Sequence, residues 1–252
     1  MSKIVSEPLE ALGEVRDGAV VAVGGFGPAG VPLTLINALL ATGARELHVV
    51  TNNVGDGWGL GELLREGRIA RLTMSYTGEN KDLADRWLAG ELEIEFTPQG
   101  TLVERLRAAG AGIPAFYTAT GAGTLIADGG LPLRFRDGEP ISRTQAREQR
   151  EFSGRRYVLE HALHCDLALV HCFSADAAGN LRFRGTARNF NPVMATAATT
   201  TVAEAESVVA LGRLAPDDVH LPGAFVTRVL GGVPANDRID KLMTTEVLDE
   251  RH

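Results

Sequence analysis

The sequence predicts an α/β protein: an open, mostly parallel sheet covered by helices, formed as one domain over residues 1–237. Three observations point to it. Val20, Val21, Ala22 and Val23 make an all-apolar run, as expected for a strand buried on both faces in a parallel sheet. That run passes through the glycine-rich segment 24–30 to Pro32, whose fixed φ suits a first helical turn. Strand and helix signals then alternate along the chain, and 252 residues with 44% hydrophobic content suffice for a covered sheet.

Taken in order, residues 6–16 carry Leu9, Leu12 and Val15 on one side and read as a leading helix ahead of the first strand. Residues 33–40 read as a helix and 47–51 as a strand, after which Leu60, Leu63 and Leu64 mark a short helix closing near Gly67. Ala70, Leu72, Met74 and Tyr76 alternate as the next strand. Asn80 can cap a helix bearing Leu83, Trp87 and Leu88 and ended by Gly90. Leu92, Ile94 and Phe96 alternate with three glutamates in a half-buried strand. Thr101-Leu-Val-Glu104 has the form of a capping box, so a helix is expected to run from there to Gly110, with Thr97-Pro-Gln-Gly100 as the turn before it. Further strands are expected at 115–118, 157–159, 167–173 and 225–229. Residues 134–156 are polar and charge-rich without an apolar period; they read as an exposed excursion, because strand signals resume on both sides. Residues 238–252 read as a C-terminal tail.

Bulk properties exclude several function classes. With 25 basic and 32 acidic residues the formal net charge is −7, which argues against nucleic acid or an anionic membrane as partner. An anionic ligand would need a local positive site. No apolar run approaches the ~20 residues of a membrane span, and the first residues lack a basic-then-apolar leader, so a cytoplasmic location is expected. Cys165 and Cys172 lie near His161, His164 and His171, which raises a metal site. A strand over 166–173 would put the two thiols on opposite faces and roughly 20 Å apart at ~3.3 Å per residue, too far for a disulfide or a shared ion. A zinc ion on His161, His164 and an outside ligand is the lesser alternative; no metal is expected.

Gly25-Phe-Gly27-Pro-Ala-Gly30 satisfies the dinucleotide pattern G-x-G-x-x-G between a strand and a helix. An NAD site also wants a carboxylate about 20 residues on to hold the ribose. The second strand ends instead in Thr51, Asn52 and Asn53, while Phe26 and Pro28 add bulk and remove an N–H within the loop. A loop that presents backbone N–H groups to some other phosphate-bearing ligand, or a purely structural turn, are the remaining readings. Strand ends then define a rim of residues 24–30, Asn52, Asn53, 76–80, Gln99 and 118–123, rich in amides and hydroxyls and poor in nucleophiles. Glu79 is its one well-placed carboxylate, unless it serves only the dipole of the helix behind Asn80. Gln99, just before a helix, can aim amide N–H groups at a developing oxyanion, which suits acyl transfer; the plainer reading is a glutamine bonded to its own turn. Residues 182–191 place three arginines among aromatic and small polar residues, suited to a phosphate, a carboxylate or a partner subunit.

The motifs in sequence resemble the A (alpha) subunits of family I coenzyme A transferases, above all the succinyl-CoA:3-oxoacid type. Residues 17–32 are similar to that family's N-terminal signature, and Thr51-Asn-Asn-Val-Gly55, Ser75-Tyr-Thr-Gly-Glu-Asn80, the 91–102 segment around Gln99, Gly112-Ile-Pro-Ala-Phe-Tyr117 and Ala187-Arg-Asn-Phe-Asn191 follow in its order. The resemblance implies a ping-pong transfer in which the B (beta) subunit supplies a glutamate that attacks the thioester, with Asn52 or Asn53 standing where the B subunit has that glutamate. It also implies that Gln99 stabilises the oxyanion, that Gly24, Gly25, Phe26, Gly27, Pro28, Ala29 and Gly30 contact CoA, and that Asn52, Asn53 and Glu79 are substrate-site candidates. CoA thioester is then a substrate and no cofactor is needed. The expected assembly is αβ or α2β2. Acetoacetate is the expected acceptor, with 3-oxoadipate or acetate as alternatives. Because the fold also resembles sugar-phosphate isomerases and sugar-sensing regulators, a non-catalytic binding module is the alternative of a different class.

Overall fold

A computed structural model describes residues 2–78 and 80–235; Glu79 and the expected tail at 238–252 lie outside the described residues. The chain opens with β1 (Ile4–Val5), α1 (Pro8–Leu12), β2 (Val20–Val23), α2 (Leu33–Thr42), β3 (Leu47–Val50), α3 (Leu60–Arg65) and β4 (Ile69–Met74). Next come α4 (Lys81–Leu88), β5 (Glu93–Phe96), α5 (Gln99–Gly110), β6 (Ala115–Thr118), α6 (Leu125–Asp128), β7 (Pro132–Arg136), β8 (Glu139–Arg143) and β9 (Gln149–Phe152). It continues with β10 (Arg155–His161), β11 (Cys165–Asp176), β12 (Leu181–Arg182), α7 (Asn191–Thr196), β13 (Ala198–Val209) and β14 (Arg228–Gly231). The main sheet has the order β1-β14-β13-β11-β2-β3-β4-β5, parallel throughout, with β12 added antiparallel to β11.

Alternation along each strand sends side chains to two cores. Val21 and Val23 join Leu35, Ile36, Leu63, Leu72 and Ile94 on one face, whereas Ala22 and Val50 join Leu102, Leu106, Val170 and Met194 on the other. A sheet so covered needs all-apolar strands, which is why Val20–Val23 was legible. Truncating one of these leucines, such as the fully buried Leu102, to alanine costs about 2–5 kcal/mol.

Several expectations are corrected. The leading helix spans only Pro8–Leu12, because Gly13 follows in a positive-φ conformation (φ 66°). Thr101 is not a cap: α5 begins at Gln99 behind Pro98, and the buried Thr101 hydroxyl lies inside the helix without a hydrogen-bond partner. Residues 223–225 form a 3-10 turn, so the last strand starts later, at Arg228. Strand β13 had no apolar signature, and the 134–156 excursion is built rather than irregular. Its β7 and β8 form a hairpin, and β9 pairs with β10, which pairs with β6 in a second antiparallel sheet. Both cysteines lie in β11, are free and buried, and burial pushes the Cys165 thiol up to about 12 and that of Cys172 higher still.

The second sheet is tied to the main one by ions. Glu95 on β5 accepts from Arg71 at 2.8 Å and Arg105 at 2.7 Å, and Arg147 reaches Glu160 on β10 as well as Glu95 at 3.7 Å. Burial alone would raise the Glu95 carboxyl, but Arg105 and Arg71 outweigh it and hold it below the ordinary value.

Candidate active site

Strand β2 ends at Val23 and the chain turns sharply back through residues 24–30. Phe26 and Ala29 bond each other's N–H and C=O at 3.0 Å, closing the turn. Its tightness requires glycine where neighbours press. A Cβ on Gly24 would stand 1.9 Å from Asn191 Oδ1, and one on Gly30 (φ +64°) 2.6 Å from the Ala187 carbonyl. Gly27 is different: no atom lies within 4 Å of a Cβ there, and only its φ of +54° favours glycine.

A chain of hydrogen bonds leads from this turn to Gln99. The Gly27 N–H donates to Asn53 Oδ1 at 3.0 Å, and Asn52 Nδ2 donates to the same oxygen at 2.9 Å. Asn52 Oδ1 in turn accepts from Ser75 Oγ at 2.6 Å and from Gln99 Nε2 at 2.9 Å. The polarity of the chain is set at its first member. A backbone N–H can only donate, so Asn53 must present oxygen, Asn52 must present nitrogen to it and oxygen to Gln99, and Gln99 must present nitrogen. An amide NH2 carries two hydrogens; one is held by Asn52 and the other remains to be given to a ligand. Asn52 is buried and Gln99 exposed, so the orienting group is shielded and the acting group is reachable.

Thus the structure joins Gly27, Asn52, Asn53 and Gln99, four groups expected at the rim, and adds Ser75, whose hydroxyl had been passed over although it opens a quoted motif. Asn80 caps α4 as expected, accepting from Leu83 N at 2.9 Å, and also donates to the Gly55 carbonyl. Thr118 instead ends β6 in the second sheet, and no hydrogen bond ties residues 118–123 to the network among the described residues. Glu79 lies outside the described residues.

The expectation of a loop offering amides to phosphate is not met. The N–H groups of Gly24, Phe26, Gly27 and Ala29 already donate to Leu169, Ala29, Asn53 and Phe26, and Pro28 has none. The start of α2 is also taken: the Leu35 N–H donates to Glu204 Oε2 at 2.9 Å. That carboxylate comes from β13 and supplies the anionic partner a helix N-terminus attracts. Glu204 Oε1 meets His171 Nδ1 at 3.0 Å, and His171 Nε2 meets Glu206 at 3.2 Å. Burial would lower the imidazole, but the Glu204 and Glu206 carboxylates prevail and raise it. Nor is there room beneath the turn, where a cavity of about 10 Å³ between Gly25, Asn53 and Trp58 holds about one water-sized sphere. A ligand must lie over the loop, against the exposed Phe26 ring and Pro28.

Among the described residues no three His, Cys, Asp or Glu side chains are grouped to hold a metal ion, and no helix is long and apolar enough to cross a membrane. Residues 6–232 match the family model described as coenzyme A transferase. The chain belongs to the coenzyme A transferase family. Its relatives include the A subunit of the succinyl-CoA:3-ketoacid coenzyme A transferase of Xanthomonas campestris, 51% identical over 91% of this chain and 88% of that one. The mouse mitochondrial succinyl-CoA:3-ketoacid coenzyme A transferase 2B is 49% identical over 96% of this chain and 47% of its own length. This coenzyme A transferase chain thus spans about half the length of the mammalian relatives it matches. An acyl-CoA transferase of E. coli O157:H7, solved as a thioester complex with CoA, shares the fold at TM-score 0.76 and 24% identity, over 92% of this chain and 49% of that one.

Proposed function

We propose that the chain is the A-type half of a transferase that moves CoA from succinyl-CoA to a 3-oxoacid, acetoacetate first, and acts only with a B-type half. The names of relatives at about 50% identity support the donor and the acceptor class. One observation carries the division of labour: where Gln99 could steady an oxyanion, the side chain facing it at 2.9 Å is the Asn52 amide, which cannot serve as nucleophile.

In this reading a B-subunit glutamate attacks the succinyl-CoA carbonyl and expels CoA thiolate, leaving a mixed anhydride. The thiolate attacks the glutamyl carbonyl of that anhydride, releasing succinate and leaving a glutamyl-CoA thioester. Acetoacetate then attacks this thioester, and the expelled thiolate takes the acetoacetyl group from the new anhydride, regenerating the glutamate. Each addition creates an oxyanion for the second Gln99 N–H. The Gly24–Gly30 turn contacts CoA along its outer surface, Asn52 and Asn53 orient, and the thioester is substrate with no cofactor required. An αβ or α2β2 assembly follows, and two buried thiols free of a disulfide fit the cytoplasm.

The test is reconstitution. The purified chain alone should exchange no CoA, and adding the B-type partner should bring activity with acetoacetate above that with 3-oxoadipate or acetate. Full succinyl-CoA:acetoacetate exchange by the lone chain would overturn the assignment and direct attention to Glu79.

A further inference from the structure

If CoA lies over the glycine turn, its phosphates need a partner, and the turn's own groups do not offer one. Four of its amides are bonded within the protein, and the N-terminus of α2 is capped by Glu204. The chain as a whole carries a charge of −7, which repels a polyphosphate unless a local patch reverses the sign. Such a patch adjoins the turn. Residues 182–191 fold against it: Asn189 donates to the Ala29 carbonyl at 3.0 Å, and Asn191 to those of Gly30 at 3.0 Å and Ala187 at 2.8 Å. These bonds fix the 3-10 turn Gly185–Arg188 beside the glycine turn.

Three arginines ride on this segment. Arg184 lies over the Phe173 ring at 4.4 Å and Arg182 at 5.8 Å, which holds both guanidinium planes by their faces and leaves edge N–H groups to bond. Glu206, 3.5 Å from Arg184, is the acid nearest them, and its other oxygen faces His171. Nearby His220, with Asp218 beside it, is held below its ordinary value by burial and by the charges of Arg188 and Arg182, a sign of net positive potential.

Sheet order places this patch suitably. From β5, which leads to Gln99, through β4, β3 and β2 to β11, which leads to the arginines, there are four strand spacings, roughly 19 Å at ~4.8 Å each. A thioester held at Gln99 with its pantetheine arm crossing the glycine turn would bring its nucleotide end there.

We propose that Arg182, Arg184 and Arg188, on the segment that buttresses the glycine turn, receive the nucleotide phosphates of the CoA substrate. The inference rests on the transferase reading and is tested within the complete two-subunit enzyme. KM and kcat are measured with succinyl-CoA and with succinyl-pantetheine, which lacks the nucleotide. The Arg184→Ala/Arg188→Ala variant should raise KM for succinyl-CoA on the order of tenfold or more, since it removes charge-assisted hydrogen bonds, while KM for succinyl-pantetheine and both kcat values stay within about twofold. Arg45→Ala, an exposed arginine ahead of β3, should change neither donor. An equal rise for both donors, or no change for either, would overturn the proposal while leaving the transferase reading in place. A wild-type complex that transfers from neither donor would sink that reading itself. Should the double variant fail to assemble, ionic strength decides: wild-type KM for succinyl-CoA should climb with salt while that for succinyl-pantetheine stays flat, and equal salt dependence would count against the arginines.

Discussion

Helix α5 separates two polar regions built on opposite principles. At its first residue Gln99 joins Asn52, Asn53, Ser75 and Gly27 in a chain with no formal charge. Six residues later Arg105 joins Glu95, Arg71, Arg147 and Glu160, where every member is an ion. Ions attract from many directions, so the second region can bolt a separate sheet onto the main one without fixing which atom points where. Amides have a donor end and an acceptor end. A chain of them transmits direction, and here the direction starts at a backbone N–H and arrives as an N–H at Gln99. The comparison teaches that the charged cluster is for holding and the neutral one for aiming.

The widest separation of the two should come from Glu95→Ala, which leaves Arg71 and Arg105 facing each other without their shared carboxylate. Unfolding free energy measured in urea should fall by about 3–5 kcal/mol, while kcat of the folded complex stays within about twofold. A large loss of kcat at full stability would show that the ionic region aims as well as holds.

Gly27→Val should act in the other direction and by less. No atom obstructs the new Cβ, so the cost is the positive φ, about 1–2 kcal/mol. The side chain would project into the path of the ligand, so KM for acyl-CoA should rise with circular dichroism and assembly with the partner little altered. Wild-type KM in this variant, or tight NAD binding by the unaltered chain, would remove CoA from the glycine turn.

A smaller effect belongs to pH. His48 bonds Thr73 Oγ1 at 2.8 Å, and burial, with Arg71 next, pulls its pKa from 6.5 down to about 4. Folded His48 therefore stays neutral where the unfolded chain has taken up a proton. Its contribution to stability is intact above pH 6.5 and is lost progressively as pH falls toward about 4. His48→Gln should flatten that acid limb in urea titrations between those values; an unchanged slope would show that His48 charges freely in the fold.

The first half of the fold was open to sequence reading because its strands are apolar and its helices carry ordinary signals: Val20–Val23 and the Asn80 cap fall where expected. Strand β13 was hidden because its interior polar residues are satisfied by distant partners. Glu204 reads as a surface residue until His171 and the Leu35 N–H are placed beside it. The 134–156 excursion lacked an apolar period because its strands face solvent and ions. At the site, Gln99 and the two asparagines were legible as residues, yet their order as a polarised chain was not. Thr101 misled in the opposite sense, since a capping-box pattern reports local chemistry and Pro98 had already set the helix start. Nor could sequence tell that the amides of the glycine turn are taken.

The central claim is that Gln99 donates to the oxyanion and is aimed by Asn52. Its most direct measurement is kcat of Gln99→Ala in the reconstituted two-subunit enzyme at saturating succinyl-CoA and acetoacetate. The account predicts a fall on the order of a hundredfold, about 3 kcal/mol of transition-state stabilisation, with assembly of the complex and its thermal midpoint unchanged. A kcat equal to that of the wild type in an intact complex would contradict it and return Gln99 to the role of a turn residue.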